Sequence, residues 1–311
     1  MKKIYQIEPS LGNEEKKELI DVIDSGWFTE SKKTKEFERR FAEFTKCKYA
    51  CAITSGTVGL YLGLLAMDIK KNDQVIVPDL TFVASPNAIE GMGAKPVLCD
   101  IEKDTLNLDL EKIEKQITKK TKAIMIVNFN GRTTNMKHLN EIAKKYNLKL
   151  IEDAAHSTGA TYKNRKIGSH GDLVCFSFHP VKNLAMPTGG LISINNKNFE
   201  KNKKQLESKR WCGITDRKNV KYDVKEIGWN YYMNEFSAAI GIEQLKKLNH
   251  TNNRRKEIAK TYSQKILTEK KMLFDNECSY HFYWIRVKNR EQFREKLLKK
   301  GIETGIHYKP I

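Results

Sequence analysis

At 311 residues, with 40% hydrophobic and 30% charged side chains, the chain has a globular composition and is long enough for one large domain plus a smaller one. No apolar run reaches the roughly 18 to 20 residues of a membrane span, and the opening MKKIYQIEPSLGNEEKK lacks the apolar centre of a secretion signal, so no membrane partner is expected and the default location is cytoplasmic. The net charge of +18 suits an anionic partner, yet the lysines are dispersed among Glu and Gln at helical spacing, as on solvated helix faces, which argues against nucleic acid.

The first predicted element is a helix over 13–25, with Asn13 as a possible cap, early glutamates and Gly26 as its stop. The next helix carries Phe37, Phe41 and Phe44 on one face, a core stripe. Strands are predicted at YACAI (49–53), QVIVP (74–78), KPVLC (95–99), KAIMIV (122–127), LKLIED (148–153), LVCFSF (173–178) and LISI (191–194). Helical patterns at 57–67, 82–92, 109–118 and 136–146 separate most of them. This alternation predicts an α/β fold with a seven-stranded, mostly parallel sheet flanked by helices.

From about residue 248 the rhythm changes to a basic helical stretch, then HFYWIRV as a strand, then NREQFREKLLKKG as a helix. The expected division is a large domain over 1–247 and a smaller α+β C-terminal domain over 248–311. Six cysteines form no CxxC pair and no zinc-like alternation with His, so no metal site is expected. Cys51, Cys99 and Cys175 read as small apolar residues on strands, in a reduced compartment.

Three segments could do chemistry. In TSGTVGLYLGLLA (54–66) a strand ends in a small polar turn before an apolar helix, so free N–H groups and the Ser55 and Thr57 hydroxyls could cradle a phosphate or merely cap the helix. LIEDAAHSTGA (150–160) delivers Glu152 and Asp153 at a strand's carboxyl end, where open α/β sheets bind ligands, with His156 nearby if a turn begins there. Such a carboxylate could hold a metal, orient a base or pair with a protonated ring nitrogen. DLVCFSFHPVKNLAMPTGG places Lys182 just beyond a buried run, where partial desolvation lowers an amine's pKa and suits it to Schiff-base chemistry. A phosphate cradle, a carboxylate and an amine together are what pyridoxal 5'-phosphate (PLP) requires.

These motifs, with SGWFTESKKTKEFERRFAEF (25–44), VPDLTFVASPNAI (77–89), GWNYYMNEFSAAIGIEQL (228–245) and GIETGIHYKP, run in order over nearly the whole chain. The sequence thereby resembles the DegT/DnrJ/EryC1/StrS family of PLP-dependent sugar aminotransferases, of the fold-type I, aspartate aminotransferase-like class. The resemblance implies that Lys182 is the cofactor-bound lysine and general acid/base. It also implies that Asp153 pairs with the pyridine nitrogen and that His156 lies by the ring hydroxyl. Gly56, Thr57 and Ser177 would bind the phosphate, Phe82 would stack on the ring, and Asn230 would reach the phosphate of a partner subunit in a homodimer with shared active sites.

Departures from the family pattern are Pro187 and Thr188 before the paired glycines, Asn128 and Asn130 in VNFNGR, Tyr232 in place of an arginine, and an end at Ile311 where relatives usually continue. The implied reaction moves an amino group from an amino acid, glutamate by expectation, to a keto group of a nucleotide-linked sugar, as in polysaccharide biosynthesis. A keto-inositol acceptor, or a PLP-binding regulatory protein with little turnover, are the alternatives. Lys32, Lys33 and Arg210 are candidate cations for a diphosphate, against a reading as solvated surface charges.

Overall fold

A computed structural model describes residues 3–218 and 221–309. Seven strands form the central sheet: β1 (Tyr49–Ile53), β2 (Gln74–Pro78), β3 (Lys95–Cys99), β4 (Thr121–Val127), β5 (Lys149–Asp153), β6 (Leu173–Ser177) and β7 (Gly190–Ile194), in spatial order β1-β7-β6-β5-β4-β2-β3. Only β7 runs antiparallel to its neighbours; the other six share one direction. Each of the seven strands predicted for this sheet is present within a residue at either end.

Strand alternation sorts the core into faces. Cys51, Ile53, Val75, Val77, Met125, Ile151, Leu173 and Cys175 pack on α3 (Gly56–Ala66) and α4 (Ala84–Gly91). On the other face, Ala50, Ala52, Val174 and Phe176 meet Phe37 and Phe41 of α2 (Lys32–Thr45) and the buried stripe of α8 (Glu235–Lys265). Ile76, Ile124, Ile126 and Leu150 meet α5 (Leu110–Gln116) and α6 (Met136–Tyr146). Cys51, Cys99 and Cys175 are buried and unpaired, as expected for small apolar strand residues.

The remaining helices are α1 (Asn13–Ser25), α7 (Phe199–Lys209) and α9 (Arg290–Lys299). Gly26 ends α1 in a left-handed conformation, φ 66°. Its N-cap is Gly12 and not Asn13, and Glu15 Oε2 accepts the Gly12 N–H at 2.7 Å. The predicted strand HFYWIRV is absent: among the described residues only an isolated bridge, Lys271 to Ile285, pairs it, and a strand without a ladder partner does not persist. The expected division at 247/248 falls within α8, which is continuous through it. No helix among the described residues is long and apolar enough to cross a membrane.

Candidate active site

A cavity of about 450 Å³ opens at the carboxyl ends of the parallel strands. Gly56, Thr57, Phe82, Asp153, His156, Ser177 and Lys182 all line it, although they come from four separate stretches of chain. Asn230 does not; it is exposed and bridges Trp211 at the surface.

Alternation along β5 turns Asp153 toward the α3 face and Glu152 toward the opposite one. Asp153 is 6% exposed, accepts from Ser85 Oγ at 2.8 Å and from the Ala155 N–H at 3.1 Å, and Ser85 in turn meets Thr81 Oγ1 at 2.8 Å. Burial pushes its carboxyl up, while Ser85, the Ala155 N–H and the Lys182 ammonium pull it back. An acid so placed calls for a cation on its cavity side. Glu152 is fully buried, bonded to Asn128 Nδ2 at 3.2 Å, and burial raises it to about 8.

Lys182 follows a turn in which its N–H meets the His179 carbonyl at 2.8 Å. Burial lowers its amine to about 8, and Asp153 acts against that fall. A lysine in this state has a substantial neutral fraction near neutral pH, as a nucleophile requires.

The end of the cavity between α3 and β6 is shaped by glycine. A Cβ on Gly56 would lie 2.7 Å from Ser177 Cβ, so only glycine lets the start of α3 approach the end of β6. A Cβ on Gly190 would collide with the Ser55 carbonyl carbon, and Thr188 Oγ1 donates to the Thr54 carbonyl at 2.6 Å. The Pro187–Thr188 variation therefore leaves the glycine loop closed on β1. Ser55 caps α3, accepting the Val58 N–H at 3.3 Å, while the Gly56 and Thr57 N–H groups stand in the first turn with no intrahelical acceptor.

His156 is 4% exposed, and its Nδ1 accepts the Asn130 N–H at 3.3 Å. Burial, with Lys182, His281 and His307 nearby, drives its pKa well down, so the ring is neutral and its proton resides on Nε2, 2.8 Å from Tyr308 Oη. The ring stacks on His281 at 4.5 Å. Phe82 is half-exposed at the mouth, with Tyr308 5.6 Å away between ring centroids.

Other expectations fail for physical reasons. Arg210 is neither a surface charge nor a cavity cation: it is 2% exposed and bound to Glu38 at 2.7 Å, Glu30 at 2.8 Å and the Ala52 carbonyl at 2.6 Å. Lys33 pairs with Glu18, and Lys32 is exposed away from the cavity. Asn128 and Asn130 are buried beneath the site rather than in it. Tyr232 stacks on Trp211 at 5.4 Å, also outside the lining. Sequence reasoning missed Ser85, Arg255, His281 and Tyr308, all but Ser85 in the lining. Ser85 and Tyr308 lie inside motifs that carry the family resemblance, which was the available signal.

The sheet, the half-buried lysine beside an acid and the glycine cradle define a PLP-dependent transferase of fold-type I. The chain matches the DegT/DnrJ/EryC1/StrS aminotransferase family over residues 9–311 and belongs to it. Aminotransferases of this family use PLP. The uncharacterized protein MJ1066 of Methanocaldococcus jannaschii is 37% identical, over 97% of this chain and 83% of its own. The PLP form of Spr1654 from Streptococcus pneumoniae, named as a sugar aminotransferase, superposes with a TM-score of 0.92 at 30% identity, covering 99% of this chain and 86% of that one. Helicobacter pylori PseC, an aminotransferase involved in the biosynthesis of pseudoaminic acid, gives 0.92 at 29% identity, over 100% and 86%.

Proposed function

We propose that this aminotransferase moves an amino group from an amino acid, glutamate in the first instance, to a keto group of a nucleotide-linked sugar. The observation that carries the reading is Lys182 emerging beside Asp153 into a cavity closed at one end by Gly56 and Ser177. The family and the naming of Spr1654 support a sugar, and the chain's +18 charge favours an anionic, nucleotide-linked one.

PLP, when bound, supplies an electrophilic carbon for the amino group and a ring that accepts electrons as the substrate's C–H bond breaks. The protein's residues do the rest. Lys182 Nζ, partly neutral at pH 7 to 8, takes a proton from the substrate carbon and returns it on the neighbouring side. Asp153 holds the proton on the pyridine nitrogen, and that positive partner offsets the cost of its own burial. The Gly56 and Thr57 N–H groups and Ser177 Oγ bind the phosphate at the N-terminus of α3. His156 would lie by the cofactor's ring hydroxyl, and Phe82 would cover one face of the ring. Asn230, on the surface of its own chain, is assigned to the cavity of a second copy in a homodimer. Residues 1–247 form the cofactor-binding unit and 248–311 a small unit, with α8 shared between them. Six free cysteines favour a reducing, cytoplasmic setting.

Borohydride treatment of the PLP-loaded protein is expected to leave the cofactor's mass on the peptide containing Lys182. Glutamate is expected to bleach the yellow absorption, and a keto-sugar nucleotide to restore it. Lys182→Ala should abolish both at least a thousandfold. Retention of the label elsewhere, or a half-reaction that survives Lys182→Ala, would overturn the assignment.

A further inference from the structure

We infer that Arg255 of α8 is the receptor for a carboxylate of the amino-acid donor. This deepens the reading above and rests on it. Arg255 lines the same cavity as Lys182. Among the arginines with described side chains that are at least partly buried, Arg40, Arg132, Arg210 and Arg294 each have a carboxylate within ion-pair distance. Arg255 has none among the described residues. Its Nη1 donates to the backbone carbonyls of His281 at 3.1 Å and Tyr280 at 3.4 Å, which aim the group but leave its charge uncompensated.

A guanidinium removed from water without a counter-ion is costly, and burial accordingly weakens its hold on the proton. The face not used by those carbonyls keeps a planar set of N–H donors, a match for the two oxygens of a carboxylate. The position suits a donor. His281 feels the positive charge of both Lys182 and Arg255, so its imidazole has the reacting amine and the guanidinium both nearby. An amino acid presents an amine and a carboxylate within one small molecule, and this cavity presents the complementary pair of stations. The remaining acids of the lining, Glu8 and Asp153, repel a donor carboxylate, which leaves Arg255 as the attractive end.

The test uses the PLP-loaded enzyme and Arg255→Gln, with Arg255→Lys as a charge-keeping companion in case loss of the two carbonyl contacts impairs folding. Single-turnover reaction with glutamate should need at least tenfold higher glutamate in Arg255→Gln, with a limiting rate within about threefold of wild type, and Arg255→Lys should fall between. Reaction of the pyridoxamine-loaded variants with a keto-sugar nucleotide should keep its concentration dependence. Without cofactor, glutarate should raise the wild-type melting temperature and fail to raise that of Arg255→Gln. Unchanged glutamate dependence, or a loss confined to the sugar half-reaction as for a diphosphate receptor, overturns the assignment. If the wild type never reacts with glutamate, the function proposed above fails, and the glutarate shift still decides whether Arg255 binds a carboxylate.

Discussion

Lys182 and Asp153 hold each other's charge in a cavity that favours neither. Burial draws the amine down to about 8 and the acid upward, while each group acts on the other in the opposite sense. Replacing Asp153 with Asn removes the attraction that favours the ammonium, so the amine should titrate below about 8 rather than rise toward the usual lysine range. Cyanate modification of cofactor-free protein across pH, read by mass spectrometry of the Lys182 peptide, measures this directly. A midpoint that stays put or moves up in Asp153→Asn would show that the pair is not coupled. Both residues were legible from sequence because each follows an apolar run that had to be a strand, and the strand's end had to be the ligand edge. Ser85, which keeps Asp153 oriented, was not, since nothing local in ASPNAIEG marks a hydrogen bond spanning 68 residues. Arg210 was misjudged for a related reason: one arginine among 56 basic residues gives no sign that Glu30 and Glu38 surround it.

Among elements, α2 shows how distant sequence settles a local end. Ser31 occupies the N-cap but makes no side-chain cap. Glu235, the first residue of α8, supplies it instead: its Oε1 accepts from the Ser31 N–H at 2.8 Å, the Thr34 N–H at 2.9 Å and Thr34 Oγ1 at 2.7 Å, and its Oε2 accepts the Lys33 N–H at 2.8 Å. One buried carboxylate thus serves the unpaired donors of another helix and locks α2 against α8. Glu235→Ala leaves those donors unmet and should cost about 3 kcal/mol, seen as a lower urea midpoint with an unchanged slope. A loss under about 1 kcal/mol would mean that water replaces the carboxylate and the tie is dispensable. The helices themselves were readable from their apolar periodicity, whereas this cap was not, because its two halves are about 200 residues apart. HFYWIRV misled in the reverse way: its β-rich composition was a local preference that no neighbouring ladder satisfied.

On the scale of the molecule, a sheet covered on both faces writes near-continuous apolar runs, which is why its strands were plain in the sequence. Near 248, where the rhythm of the sequence changes, the buried stripe of α8 is dense up to Leu248 and then thins to Asn252 and Ala259, the latter packed with Met272, Cys278 and Tyr280, while the helix continues unbroken. What no pattern disclosed is that the two ends of the chain meet over the cavity. Ile4 bonds to Gly301 at 2.8 Å and Glu303 to Ile4 at 3.0 Å, Gln6 N–H reaches Glu303 Oε2 at 3.3 Å, and the Ser10 carbonyl accepts from Gln244 of α8 at 2.7 Å. Between these ties Gln6 to Ser10 form one wall of the cavity, near Tyr308 and His307 from the other end. The strap is exposed along its length and Lys3–Glu303 is a surface ion pair at 2.9 Å, so its loss should lower the melting temperature by only a few degrees. Its loss should matter more to binding, because a wall that excludes water and orients a substrate is gone while Lys182, Asp153 and the Gly56 cradle remain. Removing residues 1–9 should therefore leave borohydride labelling at Lys182 intact and weaken the keto-sugar substrate about tenfold, roughly 1.4 kcal/mol. Titration of the pyridoxamine-loaded truncated protein with that substrate measures the effect. Wild-type affinity after truncation would reduce the strap to packing, and loss of labelling would mean that it supports the cofactor end instead.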